Sequence, residues 1–441
     1  MKKLVLKGGL VCDPLKKIQR ICDVLIIDNK ITEISKTTKN EWSDEFNVLD
    51  LRGMIVLPGL IDFHTHLRDP GFEWKEDLHS GTLAAAKGGF TTVCAMPNTN
   101  PVPDSAPIVR NFIDKSYNSN VNALPFGSIT KGRKGKTLSP MFQLQDAGVV
   151  GFSDDGDTIM DSNIMRQALL YSIETKLPII NHAEDVNIKN NGVMNAGIVA
   201  DRLGLKGTLS SSEFLIIKRD IDLAKETGGR IHIPHVSTEQ SVSYIFDAKK
   251  SGVNITSEVT PHHLTMTENW IYGLNGDIPE YLTTSAYDTN AKVNPPLRSE
   301  NDVTAVIQGL NEGVLDIIAT DHAPHSLNEK ECSFDEALPG INNIETAFSQ
   351  VYKLVDRDLI SLEKLISSLT VNPAAIINRF EYGSLYLNTP ANLTVFNPST
   401  YWTVNERTLS SKSSNTPLKG KELKGRIVYT IFNGKIIHDE L

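Results

Sequence analysis

Two histidines one residue apart, His64 and His66, stand at the end of an apolar stretch in the segment PGLIDFHTHLRDPG. In a β-strand the side chains of residues i and i+2 point to the same side. The two imidazoles can therefore converge on one point, while the run GLIDF forms the apolar part of the strand. Two adjacent imidazoles are poor core residues but good metal ligands, so the pair predicts part of a metal site.

Further potential ligands stand at the ends of other apolar runs. They are His182 in LPIINHAED, His235 in RIHIPHVS and Asp321 in VLDIIATDHA. Zinc prefers imidazole and carboxylate ligands, and a hydrolytic site leaves one position open for water. Four histidines and a carboxylate exceed what one tetrahedral zinc ion needs, so the set predicts two metals with a bridging group. Two zinc ions that share a hydroxide lower its pKa and polarise a carbonyl together.

The bridging group is expected from the run GVVGFSDDG. Asp155 is the candidate, and its neighbour Asp154 is the alternative. One of the two carboxylates is expected to be a ligand, and the other to form hydrogen bonds in the loop or to a ligand.

The other histidines are not predicted to be metal ligands. A lone histidine near a strand is more often structural than a ligand, and this suits His79, His232 and His438. His262 and His263 follow the seventh apolar run and can line the site, but nothing in the pattern makes them ligands.

Arg68 follows His66 by two residues, and Asn98 ends the second apolar run. A guanidinium and an amide together can bind a carboxylate through charge-assisted hydrogen bonds. Beside a dimetal centre, these two side chains predict an anionic substrate.

The elements that must position these residues alternate along the centre of the chain. Eight short apolar runs are separated by amphipathic segments, several of which end in glycine, a common helix C-terminus. This pattern predicts an α/β fold with a (β/α)8 TIM barrel, in which active sites lie at the carboxyl ends of the strands. The alternative is an open doubly wound sheet, but no GxGxxG follows the first run.

Both ends of the chain look β-rich, with turn signals at Asp28-Asn29 and Asn433-Gly434. We therefore expect the N- and C-terminal segments to build one small β-sandwich domain beside the barrel. The predicted domains are 1–56 and 376–441 for the two parts of the sandwich and 57–375 for the barrel.

The amino-acid composition limits the partners and the cellular location that we expect for this chain. The 441 residues carry a net charge of −9, which argues against a nucleic-acid partner because such proteins present a basic face. No apolar run has transmembrane length, so no membrane partner is expected. The four cysteines are scattered without a CxxC pair, which fits a reducing compartment and a cytoplasmic protein.

The segment HTHLRDPGFEWKEDLHSGTLAAAKGGFTTVCAMPNTNPVPD resembles the first half of a type I dihydroorotase, a family of the amidohydrolase superfamily. VTPHHLTMTE, KVNPPLR and IATDHAPHS continue the resemblance in order, so it spans the barrel and both flanks. It implies a zinc-dependent enzyme that reversibly hydrolyses the cyclic amide of (S)-dihydroorotate to N-carbamoyl-L-aspartate in pyrimidine biosynthesis.

The resemblance also implies roles for individual residues. Asp321 would be the general acid/base, and Arg68, Asn98, Asn294 and His325 would bind substrate. The last substrate loop, often phenylalanine-glycine in relatives, reads Pro339-Gly340 here. The implied metal ligands, for two zinc ions, are His64, His66, Asp155, His182, His235 and Asp321.

Other functions remain as alternatives. Hydantoinases, dihydropyrimidinases and allantoinases resemble the same barrel, but they usually carry a carboxylated lysine on the fourth strand, which reads VVGFSDD here. An inactive scaffold subunit would be expected to lack ligand histidines. Relatives also suggest a homodimer and association with an aspartate carbamoyltransferase.

Overall fold

The computed structural model describes residues 3–36, 42 and 45–441. Residues 1, 2, 37–41, 43 and 44 of the predicted N-terminal segment lie outside the described residues. The chain begins with five strands: β1 (Lys3–Asp13), β2 (Ile18–Ile27), β3 (Lys30–Ser35), β4 (Phe46–Asp50) and β5 (Ile55–Pro58). Asp28 and Asn29 form the tight turn between β2 and β3, both with positive φ (48° and 69°), as a two-residue hairpin turn requires.

The centre of the chain forms a closed barrel of short parallel strands. Its eight strands are β6 (Leu60–Thr65), β7 (Phe90–Ala95), β8 (Asn122–Pro125), β9 (Phe152–Ser153), β10 (Ile179–Ile180), β13 (Ile231–Ile233), β14 (Ile255–Val259) and β15 (Ile317–Ile318), while β11 (Met194–Asn195) and β12 (Gly207–Thr208) form a separate pair. Parallel bridges between Gly127 and Phe152 and between Thr65 and His322 join the two halves of the barrel into a ring. The predicted (β/α)8 barrel is confirmed.

Helices connect the barrel strands, as the amphipathic segments predict. They are α1 (Leu78–Lys87), α2 (Ala106–Ser116), α3 (Met141–Ala147), α4 (Ser162–Thr175), α5 (Val186–Lys189), α6 (Ile198–Leu203), α7 (Ser211–Thr227), α8 (Glu239–Lys250), α9 (Pro261–Thr265), α10 (Glu300–Asn311), α11 (Leu327–Lys330), α12 (Ala347–Asp356), α13 (Leu362–Leu369) and α14 (Val371–Ile376). Gly228 ends the longest of these helices in a left-handed conformation (φ 75°), which glycine adopts at little cost. Among the described residues, no helix combines the length and apolar character needed to cross a membrane.

Three strands complete the chain: β16 (Leu393–Thr403), β17 (Glu422–Phe432) and β18 (Lys435–Asp439). They join the N-terminal strands in one sheet with the order β18-β17-β16-β5-β1-β2-β3, and β4 lies beside β1. Strand β1 has a bulge between Leu6 and Gly9, so its first half pairs with β4 and its second half with β5. The two chain ends therefore form one β-domain, as expected, with a separate apolar core that includes Leu6, Val24, Val395 and Ile431.

The barrel interior is closed by buried apolar side chains. Phe63 on β6 belongs to the same buried cluster as Ile180 on β10, which lies across the barrel. The rings of Phe63 and Phe126 lie 5.3 Å apart in an edge-on contact. Burial of each such side chain contributes about 2 kcal/mol, so this layer gives the polar residues at the strand ends a rigid base.

Candidate active site at the carboxyl ends of the barrel strands

The pair His64 and His66 lies at the end of β6, and both imidazoles are buried. Their ring centroids are 5.3 Å apart. The strand end is fixed by the buried Asp62, whose carboxylate accepts hydrogen bonds from Thr65 Oγ1 at 2.8 Å and from the backbone N–H of Thr320 at 2.9 Å. Asp62 thereby ties the end of β6 to the end of β15, where Asp321 follows.

Asp155 lies between two groups of histidines. Its Oδ2 is 3.6 Å from His64 Nε2 and 3.5 Å from His66 Nε2. Its Oδ1 is 3.6 Å from His182 Nδ1 and 3.6 Å from His235 Nε2. Each oxygen of one carboxylate thus faces one pair of imidazoles, which is the arrangement a bridging ligand needs.

The second pair of imidazoles is tightly packed. His182 Nδ1 lies 2.9 Å from His235 Nε2, and both residues are buried. His235 has a positive φ of 35°, a strained backbone conformation for a residue other than glycine. The end of β13 therefore turns sharply at the point where its imidazole reaches the cluster.

Asp321 closes the cluster from the end of β15. Its Oδ1 lies 3.0 Å from His66 Nε2 and 3.5 Å from His64 Nε2, and its φ is 47°. Burial alone would raise the pKa of Asp321, but the nearby imidazoles of His64 and His66 outweigh burial and hold the pKa below its usual range.

The donor set fits metal ions. In the part of the chain that the structure describes, two groups have ligand atoms within 4.8 Å of one another. They are His64, His66 and Asp155, and Asp155, His182 and His235. His64 Nε2 and Asp155 Oδ1 are buried without a hydrogen-bond partner, and both face the cluster. Buried polar atoms of this kind normally have a partner, and a divalent cation would serve both.

The electrostatics of the cluster also favour a cation. Burial disfavours a charged imidazole, but the carboxylates of Glu258, Asp155 and Asp321 outweigh it and raise the pKa of His64 well above its ordinary value. A field that stabilises a proton at this point also stabilises a divalent ion.

Glu258 is a site residue that the sequence interpretation missed. It is fully buried on β14, and its Oε1 lies 2.6 Å from His64 Nδ1 while its Oε2 lies 3.1 Å from His232 Nε2. Its Oε1 also accepts a hydrogen bond from the backbone N–H of His235 at 3.2 Å. His232 therefore has a structural role next to the site, which agrees with its interpretation from the sequence.

Asp154 and Asp155 point in different directions. Asp154 accepts hydrogen bonds from the backbone N–H of Thr130 at 3.0 Å and from the Thr130 hydroxyl. Burial raises the pKa of Asp154 to about 6, although the Thr130 bonds oppose the rise. Within the described residues, both groups with metal-binding geometry contain Asp155 and neither contains Asp154.

Arg68 and His325 lie together beside the cluster. Arg68 is buried with a φ of 61°, and its Nε donates to the carbonyl of Pro324 at 3.2 Å. Burial lowers the pKa of Arg68 to about 10, so the guanidinium stays charged at neutral pH. The imidazole of His325 is 3.4 Å from Arg68 Nη2 and donates from Nε2 to the carbonyl of Pro339 at 3.0 Å.

His325 is neutral at physiological pH. Burial and the positive charges of Arg68, Lys330 and Lys75 lower its pKa to about 2. Since Nε2 donates to Pro339, Nδ1 is the acceptor, and Lys75 Nζ lies 3.5 Å from it. A neutral imidazole and a charged guanidinium thus stand side by side.

The two predicted substrate amides contact metal-ligand candidates. Asn98 Oδ1 accepts from His66 Nδ1 at 2.9 Å, and Asn294 Nδ2 donates to His182 Nε2 at 3.0 Å and to Glu184 at 3.3 Å. Both amides therefore orient imidazoles whose other nitrogens face Asp155, which sequence reasoning did not predict.

Gly340 brings two loops together. Its φ is 148°, and a Cβ there would lie 2.8 Å from the carbonyl oxygen of Ala323 and 2.9 Å from Cδ2 of His325. Only glycine allows the Pro339-Gly340 loop to approach the His325 loop this closely.

The remaining described histidines belong to neither group with metal-binding geometry. His263 bonds to Thr260 and to the carbonyl of Pro295, and Asn343 contacts His262. His79 is exposed on α1, and burial lowers the pKa of His438 on β18.

Comparisons with known proteins agree with this geometry. A family model described as dihydro-orotase-like matches residues 53–241. A dihydroorotase of Aquifex aeolicus (strain VF5) is 44% identical over 441 residues and covers 100% of both chains. A dihydroorotase of Geobacter metallireducens is 43% identical over 436 residues and covers 99% of each chain.

Solved structures show the same fold at low sequence identity. A dihydropyrimidinase from Brevibacillus agri NCHU1002 aligns with a TM-score of 0.83 and 19% identity, over 99% of this chain and 95% of that one. An L-hydantoinase from Arthrobacter aurescens aligns with a TM-score of 0.84 and 20% identity, over 100% and 96%. At this identity the likeness establishes the barrel with its β-domain, not the substrate.

Proposed function

The chain belongs to the dihydroorotase family and is a cyclic amide hydrolase, and we propose how its buried cluster acts on (S)-dihydroorotate. The reaction is reversible hydrolysis of the ring amide to N-carbamoyl-L-aspartate. The observation that carries the proposal is the position of Asp155, whose two oxygens face two separate pairs of imidazoles.

The cluster is a metal-binding site, and we assign it two zinc ions. His64, His66 and Asp321 would hold one ion and His182 and His235 the other, with Asp155 shared. When bound, divalent cations at such a site lower the pKa of water and polarise a carbonyl. Glu258, Asn98 and Asn294 fix the imidazoles by bonding the ring nitrogens that face away from Asp155.

Asp321 is the proposed general acid/base. Its low pKa keeps the carboxylate ionised at neutral pH, as a base must be before it accepts a proton. In the forward direction, Asp321 takes a proton from the attacking water at its carboxylate. It then delivers that proton to the ring nitrogen as the C–N bond breaks, and in ring closure the transfers are reversed.

Arg68 and His325 are the proposed binding site for the exocyclic carboxylate. The guanidinium supplies charge-assisted donors. The proposal is supported by the carboxylates of Asp321 and Asp155, which are close enough to act on the pKa of Arg68. The amides of Asn98 and Asn294 and the backbone of Pro339-Gly340 complete the proposed substrate contacts. A neutral hydantoin has no carboxylate that would use this site, so it is the weaker candidate substrate.

Replacement of Asp321 by asparagine tests the proposed mechanism. Asp321→Asn removes the base while keeping its shape, so kcat for dihydroorotate is expected to fall by roughly 10³-fold or more. Asp222→Asn is the matched control, because Asp222 is an exposed carboxylate on α7 paired with Lys218. Activity of Asp321→Asn near that of the control would contradict the assigned role.

Three further properties stay predictions. A homodimer and association with an aspartate carbamoyltransferase are suggested by resemblance alone. A cytoplasmic location is predicted from the scattered cysteines, three of which are buried as free thiols.

A further inference from the structure

The segment 410–416, part of the connection between β16 and β17, lies across the loops of the barrel site. Asn415 in this segment is buried at 4% exposure and uses both ends of its side-chain amide. Its Oδ1 accepts a hydrogen bond from the backbone N–H of His325 at 3.0 Å. Its Nδ2 donates to the carbonyls of Ala323 and Gly340, each at 3.0 Å.

The three backbone groups belong to two loops that carry proposed substrate contacts. One loop bears His325, and the other bears Pro339 and Gly340. The loops touch where Gly340 faces Ala323, and the backbone carbonyl of Asn415 also accepts from the N–H of Asn342 at 2.9 Å. One amide therefore bonds the backbones of both loops, in addition to the direct hydrogen bond from the Ala323 N–H to the Ile341 carbonyl at 3.0 Å.

We infer that Asn415 is a positioning residue for substrate binding, which holds the backbones of His325 and Gly340 where the carboxylate of the ring substrate requires them. This inference rests on the proposed function. Asn415 acts through the two loops. It lies between β16 and β17 of the terminal β-domain, so this domain contributes to substrate specificity as well as to stability.

The rest of the segment has its own anchors. Ser411 bonds through its hydroxyl to Glu76, Ser410 donates its backbone N–H to Glu345 at 2.8 Å, and Ser413 bonds through its hydroxyl to the carbonyl of Lys75 at 2.7 Å. Loss of the Asn415 side chain should therefore leave the segment in place. Only the buried backbone groups of His325, Ala323 and Gly340 would lose their bonds to the Asn415 side chain.

The first test compares Asn415→Ala with Asn405→Ala. Asn405 lies in the same connection, but its side chain bonds only within its own turn, accepting from the N–H groups of Arg407 and Thr408 and donating to the Thr403 carbonyl. In Asn415→Ala, KM for dihydroorotate should rise roughly tenfold or more, with kcat within about threefold of wild type, because binding geometry is lost and the reacting groups are kept. Bound metal should match the control.

Asn415→Asp is the second variant, and it guards against misfolding of the alanine variant. It keeps the shape and the acceptor for His325 but loses both donors, so the same rise in KM is expected. KM within twofold of wild type in both variants would overturn the inference. No dihydroorotate turnover by the wild-type chain would instead contradict the proposed function itself, and this inference with it.

A double variant separates positioning from general structural support. If Asn415 acts largely through His325, then adding Asn415→Ala to His325→Ala should raise KM by less than about threefold. Effects that multiply in full would show that Asn415 supports the fold independently of His325, and would overturn the assignment.

Discussion

Oε1 of Glu258 lies 2.6 Å from Nδ1 of His64, and Nε2 of the same imidazole faces Asp155 at 3.6 Å. A carboxylate that accepts from one ring nitrogen fixes the tautomer and orients the other nitrogen toward a metal. Burial alone would raise the pKa of Glu258, but His64 and His232 lower it to about 2, so it is an ionised acceptor.

Loss of this carboxylate should weaken metal binding without removing a ligand. Glu258→Gln is expected to reduce zinc affinity by roughly 10- to 100-fold, the usual effect of deleting a partner of a metal-bound histidine. Zinc titration of chelator-treated protein measures the change, with the exposed Glu226→Gln as control. Unchanged affinity would mean that the hydrogen bond does not orient His64.

Asp155 and Asp154 offer a pair of neighbouring carboxylates for comparison. Asp155→Ala should lower the metal content per chain and cut kcat by roughly 10³-fold, because both pairs of imidazoles lose the carboxylate proposed to bridge the two metals. Asp154→Asn should retain the metal, since Asp154 bonds to Thr130 instead. Elemental analysis of both purified variants measures their metal content. Metal loss in Asp154→Asn but not in Asp155→Ala would reverse the assignment.

Arg68 should determine the preference for an anionic ring. Arg68→Met is expected to lower kcat/KM for dihydroorotate by roughly 30- to 100-fold, the value of a lost charge-assisted pair. Turnover of a neutral hydantoin should change much less. Steady-state kinetics on both substrates measure this, and equal losses on both would contradict a role in carboxylate binding.

Glu345 should make stability depend on pH. Burial raises its pKa from an ordinary 4.5 to about 7, although the N–H groups of Ser410 and Ser411 oppose the rise. A carboxyl whose pKa is raised on folding favours the protonated state, so its contribution to the free energy of unfolding falls as pH rises from about 4.5 to about 7.

Glu345→Gln removes this titration. Relative to wild type, the variant should gain roughly 2 kcal/mol of stability between pH 5 and pH 8. Chemical unfolding of the metal-loaded protein at both values gives the difference, and a difference independent of pH would contradict the raised pKa.

The sequence was informative where chemistry followed a regular spacing. The i, i+2 spacing of His64 and His66 and the eight apolar runs predicted the strand end and the (β/α)8 barrel, and the barrel is confirmed. His182, His235 and Asp321 were then predicted to join this pair, because the carboxyl ends of barrel strands lie on one face. The structure brings His182 and His235 next to Asp155, and Asp321 next to His66.

The sequence could not predict contacts that depend on the direction of the backbone or that join residues far apart in the chain. Asp154 and Asp155 are the same residue type. Only the path of the backbone after β9 decides which carboxylate faces the histidines, so the sequence could not distinguish them. Glu258 carried a signal, a lone carboxylate in the buried run ITSEV of β14, but its partner is 194 residues away. Asn415 reaches His325 over 90 residues from a connection without any motif.

A paired substrate assay with the metal counted tests the central claim most directly. The purified chain should hydrolyse dihydroorotate with a kcat/KM at least roughly 100-fold above those for dihydrouracil and allantoin, and it should hold about two zinc ions. Equal or better turnover of the two neutral rings, or a metal-free chain that stays inactive when zinc is added, would contradict the account.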